Sequence, residues 1–329
     1  MNNTALTWVW GAVAWACVLG TAQAQTLTDA GATPAKASLS TLQYGLQPRA
    51  LAPGVWVIEG AVQDFSPANG CNIINTGFVV GPDGVLVINT GPSRLYGEQQ
   101  RQAIARVTPL PVVQVLNLNL HPDYFFGNQA YRDASVAALP GSRAGMQAEA
   151  AAYASNLYAL CGDWMKGTEP QLPTQDVQPK RWQWGAHDLV LERHHGHTGD
   201  DLVLRVASAD VVFAGGLVFA ERAPTTPHAD LNAWQQSLDA LGRTLRPTTT
   251  VVPSHGPVHR GLAGAEQTAT WLRWVDTTLR QAAQAGWDMN EVLYQPLPAA
   301  YAAWAANPAE WQRTVAQLYP GYERAALAR

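Results

Sequence analysis

Four side chains in this chain carry the chemistry that holds a divalent metal ion. They are His121 and Asp123, two residues apart, then His197 and His255. Imidazole and carboxylate are ordinary zinc ligands. Each lies in a short polar run: Asn119-Leu120-His121-Pro122-Asp123-Tyr124, Gly196-His197-Thr198-Gly199-Asp200-Asp201 and Pro253-Ser254-His255-Gly256. The same residues admit a plainer reading. His121 and Asp123 suit a loop whose polar groups cap the following helix, and Asp200 or Asp201 could hold His197 as part of a turn. His194 and His195 could add a ligand from another direction, whereas His187, His228 and His259 have no evident partner and are expected on the surface. Trp164, Trp182 and Trp184 fit either a substrate groove or packing. The Gly215-Gly216 pair is a turn and not a phosphate loop, since no Lys-Ser/Thr follows it.

These runs must be positioned by the elements that flank them. Short β-branched runs at 54–59, 75–81 and 84–89 predict strands, with hairpin chemistry in Gly81-Pro82-Asp83-Gly84. A helical pattern over 94–106 and a buried strand over 112–118 follow, so His121 and Asp123 fall at a strand's carboxyl end. Strands over 187–193, 202–206, 211–214 and 249–252, with a helix over 229–245, predict a second sheet. Two sheets with helices outside them form an α/β four-layer αββα sandwich. Residues 263–329, rich in Ala and Trp, predict a helical C-terminal extension on a main domain over 49–262.

Composition narrows the partners. The formal charge is −4 with no Lys/Arg run, so the electrostatic footprint of a nucleic-acid binder is missing. The apolar segment within residues 1–24 ends in Ala22-Gln23-Ala24, which reads as a secretory signal peptide, although its start carries no Lys or Arg. It is shorter than the roughly 20 residues of a membrane span, and Cys17 has no lipoprotein context, so export to the periplasm without a membrane anchor is expected. Residues 25–48 read as an exposed leader. Past residue 24 the cysteines are Cys71 and Cys161; in an oxidising compartment they form a disulfide, and otherwise they are two buried thiols.

Taken together, the Asn119 to Tyr124 loop, the Gly196-His197-Thr198 turn, the Ala214-Gly215-Gly216 turn and the Ser254-His255-Gly256 loop resemble the metallo-β-lactamase fold superfamily. Phe213 to Phe219, Arg222, Pro224, Ala229-Asp230-Leu231, Trp234, Arg313 and Tyr319-Pro320 resemble its periplasmic quinoprotein relay system zinc metallohydrolases and related thiosulfate-oxidation proteins. The resemblance implies a first zinc subsite at Asn119, His121 and His197, a second at Asp123, Tyr124 and His255, and a bridging carboxylate at 216. Asn119, Tyr124 and Gly216 depart from that pattern, as does Asn89, where an aspartate is expected. The departures argue against a two-metal centre and leave one Zn2+ shared by His121, Asp123, His197 and His255. Such an ion would activate water against an ester, amide or thioester carbonyl, with Asp123 as ligand or as the group orienting the nucleophile. The resemblance thus implies either a single-zinc hydrolase or a non-catalytic binding protein for a small metabolite, a periplasmic quinoprotein or a cytochrome. β-Lactamase action would rest on fold alone.

Overall fold

A computed structural model describes residues 41–328. The signal segment and residues 25–40 of the leader lie outside the described residues. Seven strands form the first sheet in chain order: β1 (Arg49–Ala52), β2 (Val55–Ile58), β3 (Thr76–Val80), β4 (Val85–Ile88), β5 (Val112–Leu116), β6 (Ser135–Ala138) and β7 (Gln175–Asp176). The pairs from β1 to β4 are antiparallel and those from β4 to β7 parallel. Six strands form the second: β8 (Lys180–Trp184), β9 (His187–His194), β10 (Asp201–Val206), β11 (Val211–Phe213), β12 (Thr250–Val252) and β13 (His259–Arg260). Its one parallel pair is β11 with β12.

The strand side chains alternate between two different cores, because successive Cβ atoms leave opposite faces of a sheet. On β4, Leu86 and Ile88 enter the inter-sheet core, while Val85 and Val87 face outward to Tyr96, Ala103 and Ile104 of α1 (Arg94–Ala105). On β10, Leu202 and Leu204 enter the same inter-sheet core, and Val203 faces Trp234 and Leu238 of the helix Leu231–Gly242. Strands buried on both faces read as continuous apolar runs, which is what these sequences are. The order is therefore helix, sheet, sheet, helix.

The helices follow in chain order: α2 (Pro122–Phe125), α3 (Pro140–Cys161), α4 (Leu231–Gly242), α5 (Ala263–Gln284), α6 (Met289–Leu293), α7 (Ala299–Ala302) and α8 (Ala309–Leu327). Ser93 caps α1 by accepting from the Tyr96 amide, and Asp230 caps α4 by accepting from Asn232 and Ala233. The C-terminal helices cover the second sheet, where Trp271, Trp311, Val315 and Tyr319 join its outer core.

The leader does not stay exposed to residue 48. Leu46 is buried, and the Tyr44 amide donates to Gln99 on α1 while its hydroxyl meets Gly70 and Ser93. An aromatic ring with a partner for its hydroxyl gains more from burial than from exposure. Cys71 and Cys161 are joined in a disulfide, with Cα atoms 5.9 Å apart across 90 residues of chain. Among the described residues no helix is long and apolar enough to cross a membrane.

Candidate functional site

The polar runs gather at one edge of the sandwich. Asn119, His121 and Asp123 follow β5, His197 lies between β9 and β10, Gly216 follows β11, and His255 follows β12. Buried amides shape this edge. Asn89 adopts positive φ and its Oδ1 accepts from the Leu118 amide at 3.0 Å. Asn117 and Asn128 exchange hydrogen bonds, and Asn117 also donates to the Tyr124 carbonyl. Thr198 donates both its amide and its hydroxyl to Asp201, which fixes the turn after His197. Asp201 thus holds the turn, while Asp200 pairs with Arg193 and accepts from the Gly141 amide.

Asn119 and Gly216, two of the three departures from the expected ligand set, meet His197 in the buried floor, and the third, Tyr124, is buried edge-on to His121. The His121 amide, which can only donate, reaches Asn119 Oδ1 at 2.9 Å. Asn119 Nδ2 therefore faces His197 Nδ1, 3.3 Å away, and Nδ1 is the acceptor. That assigns the ring proton to Nε2, which lies 3.3 Å from Thr225 Oγ1. The same ring fills the space above Gly216. A Cβ added there would overlap His197 Nδ1 and would sit 2.7 Å from Asn119 Nδ2. The imidazole thus stands where a side chain at 216 would emerge.

The other two histidines are engaged differently. His255 Nδ1 donates to the Ile73 carbonyl at 2.8 Å, leaving Nε2 as an acceptor 3.4 Å from Asp123 Oδ2. That carboxylate oxygen is buried and has no hydrogen-bond partner among the described residues. His121 Nε2 meets His228 Nδ1 at 3.1 Å, and its ring stands edge-on to His197 with centroids 4.6 Å apart. His228 is thus half-buried and partnered, contrary to the surface position expected of it. His187 is buried, and His259 accepts from the Gly264 amide, so neither of these is a free surface group.

Burial sets the protonation of the floor. It holds His121 and His255 well below the ordinary histidine value, helped by the neighbouring imidazoles for His121 and by Arg222 for His255. Burial also lowers His197 to about 3, and raises Asp123 and Asp201 to about 7 each. The Tyr124 phenol is pushed well above its usual value by burial, so the floor holds it as a neutral phenol. Neutral imidazoles are competent ligands, but a catalytic zinc generally takes three protein ligands and water. Among the described residues no three His, Cys, Asp or Glu side chains converge as such a group. A two-metal centre does not fit these residues: one subsite has a carboxamide, the other a neutral phenol, and the bridge is filled by His197.

Above the floor opens a cleft of about 410 Å3. His121, Asp123 and His255 form its base, Phe65, Leu157 and Leu160 its apolar walls, and Glu310, Arg313 and Gln317 of α8 its far rim. Beneath α8, Arg222 is fully buried; it donates to the Gln63 and Ala223 carbonyls and lies 3.7 Å from Asp64 and 3.9 Å from Glu310. Arg313 bonds both acids. These four charges are separated by up to 249 residues, and no local spacing in the sequence signals their meeting. Trp164 packs on Tyr44, and Trp182 packs under Lys180, away from the cleft.

The metallo-beta-lactamase superfamily profile matches residues 69–255, and the chain belongs to that superfamily. No curated protein matches it significantly. Among solved structures, a metallo-beta-lactamase from Pontibacter korlensis is 21% identical with a TM-score of 0.53, covering 69% of this chain and 99% of that one. The metallo-beta-lactamase IND-7 is 16% identical with a TM-score of 0.55, over 70% of this chain and 98% of its own. TMB-1 is likewise 16% identical, with a TM-score of 0.53 over 70% and 99%. At these identities the likeness is one of fold. Zinc is the typical ion of this superfamily, whereas the donors of this floor differ from the expected set.

Proposed function

We propose that this protein is an exported member of the superfamily, of the quinoprotein-associated type, whose metal centre has been rebuilt as a hydrogen-bonded floor and which works as a binding protein with little or no hydrolytic activity. The observation that carries this reading is the His197 ring above Gly216, tied to the Asn119 carboxamide. Restoring a bridging carboxylate requires that ring to leave. Export to the periplasm is supported by the Ala22-Gln23-Ala24 signal pattern and by the Cys71–Cys161 bond, since disulfides persist in oxidising compartments. The partner would be a small metabolite, or a quinoprotein or cytochrome of the same compartment.

One observation favours a second reading. Asp123 Oδ2 and His255 Nε2 face each other at 3.4 Å, and Oδ2 has no hydrogen-bond partner among the described residues; that is a spacing two ligands of a single ion can adopt. A one-zinc hydrolase of an ester, amide or thioester would follow, completed by His121. Metal analysis of protein purified without chelator separates the two. Less than about a tenth of an equivalent of zinc, iron or manganese supports the binding protein; one equivalent, with acyl-ester turnover lost in His255→Ala, overturns it.

A further inference from the structure

Helix α3 has open space on both of its flanks. One flank faces the cleft, through Tyr153, Asn156, Leu157 and Leu160. The other faces a second chamber of about 460 Å3. Its base is Phe126, Leu157 and Met165, each at most 5% exposed and part of the apolar core around the Cys71–Cys161 bond. Ala154 forms a wall, and the hydroxyl-bearing Ser155, Tyr158 and Thr168 form the rim. Leu157 is shared with the cleft, but none of the floor's polar groups lines this chamber. Among the described residues no charged side chain lines it either. Asp163 and Lys166, which flank Met165 in the chain, pair with each other; Arg94, whose backbone amide donates to Thr168, pairs its guanidinium with Glu98. A charged ligand would therefore shed its water there with no counter-charge in return. Volume, apolar base and a few hydroxyls are the marks of a small-molecule site. Phe126 and Met165 favour an aromatic body, through ring–ring and sulfur–ring contacts.

We infer that this second chamber is a binding site for a small uncharged aromatic molecule, its ring on Phe126, Leu157 and Met165 and its polar end at the rim hydroxyls. The site lies off the floor and uses none of His121, Asp123, His197 and His255. It thus goes beyond the reading of the domain as a binding protein, and holds whether or not those four residues take an ion.

The test uses the full mature protein and three probes that share one ring system: naphthylmethanol, naphthylmethylamine and naphthoate. Calorimetry reads affinity and backbone amide shifts in NMR read the place, on a preparation whose metal content is measured. Naphthylmethanol is expected to bind about tenfold or more tightly than either charged probe. It should shift the amides of Phe126, Leu157 and Met165, equally with and without EDTA. Ser155→Trp, at an exposed rim position that lines this chamber and not the cleft, fills the space and should weaken the alcohol about tenfold or more. Gln317→Trp, exposed on the far rim of the cleft, should leave its affinity unchanged. The urea midpoints of both variants verify that they stay folded. No binding of the alcohol, equal or tighter binding of a charged probe, or a loss produced by Gln317→Trp and not by Ser155→Trp each overturns the inference. Binding that EDTA abolishes overturns it as well. One equivalent of metal with alcohol binding unchanged by EDTA overturns only the reading of the floor.

Discussion

The His197 imidazole occupies the space into which a side chain at Gly216 would grow. This makes two apparently separate departures from the superfamily pattern one packing event. Gly216→Ala should therefore overpack the floor and lower stability by about 1–3 kcal/mol, the usual cost of inserting a methyl into a filled core. In a His197→Ala background the same change should cost much less, giving a coupling of about 1 kcal/mol or more in a double-mutant cycle. Equal costs in both backgrounds, measured by urea unfolding, would show that the ring is not what excludes the side chain. For the same reason Asn119→His, Tyr124→His and Gly216→Asp together can be accommodated only if His197 swings away, so a triple variant less stable than the parent is the expected result.

A second prediction concerns pH. His197 has its folded value near 3 against 6.5 for the free side chain, and His121 and His255 are held well below 6.5. The unfolded chain binds those protons first, so each histidine removes stability as pH falls below 6.5. Asp123 and Asp201 act oppositely: raised to about 7 from 3.8, they favour the folded state at low pH and lose that contribution as pH rises from about 4 to 7. Three histidine terms outweigh two carboxyl terms below 6.5, and above it only the carboxyl terms remain. Stability should peak near pH 6.5 and decline toward pH 4.5. His197→Gln should flatten that decline, by at most about 1.4 kcal/mol per pH unit. A urea midpoint that rises on acidification would contradict the burial of these rings.

The disulfide supplies the third. It closes a loop spanning 90 residues, and the loop-entropy account assigns such a link about 4–5 kcal/mol. Cys71→Ala with Cys161→Ala should thus lower unfolding stability by about 2–5 kcal/mol. Cys71 lies two residues before Ile73, whose carbonyl holds His255, and Cys161 ends the helix that carries Leu157 and Leu160. The cleft should loosen with the bond. Amide exchange at Ile73 and His255 that stays unchanged in the double variant would separate the bond from the site.

Much of this architecture is legible before any coordinates. β3, β4, β5, β9, β10 and β11 are short runs of β-branched or aliphatic residues, and their bounds follow the turn residues within a position or two. β6 is hidden because Ser135-Val136-Ala137-Ala138 is too small and plain to stand out. α3 hides for a different reason: of its 22 residues only Ser142, Met146, Leu157 and Cys161 are buried, so no apolar stripe recurs at helical spacing. The edge of the sandwich that gathers His121, Asp123, His197 and His255 could be inferred from strand order. Which nitrogen each ring uses could not, since that depends on contacts such as His121 with His228, 107 residues apart. The same holds for the space over Gly216, which only the packed His197 ring reveals.

Arg222 gives the last prediction. It is fully buried, its Nη2 lies 3.7 Å from Asp64 and 3.9 Å from Glu310, and no hydrogen bond satisfies that nitrogen among the described residues. Burying a guanidinium is tolerable only while its counter-charges stay in place. Arg222→Met leaves Glu310, itself buried, with Arg313 as its single cation, and should cost about 3–5 kcal/mol, as breaking a buried pair does. Arg313→Met should cost less, because Arg313 is half exposed and its pairs are screened by solvent. If instead Arg313→Met proves the more damaging of the two in urea unfolding, α8 is held by its surface pairs and the buried arginine is not the anchor.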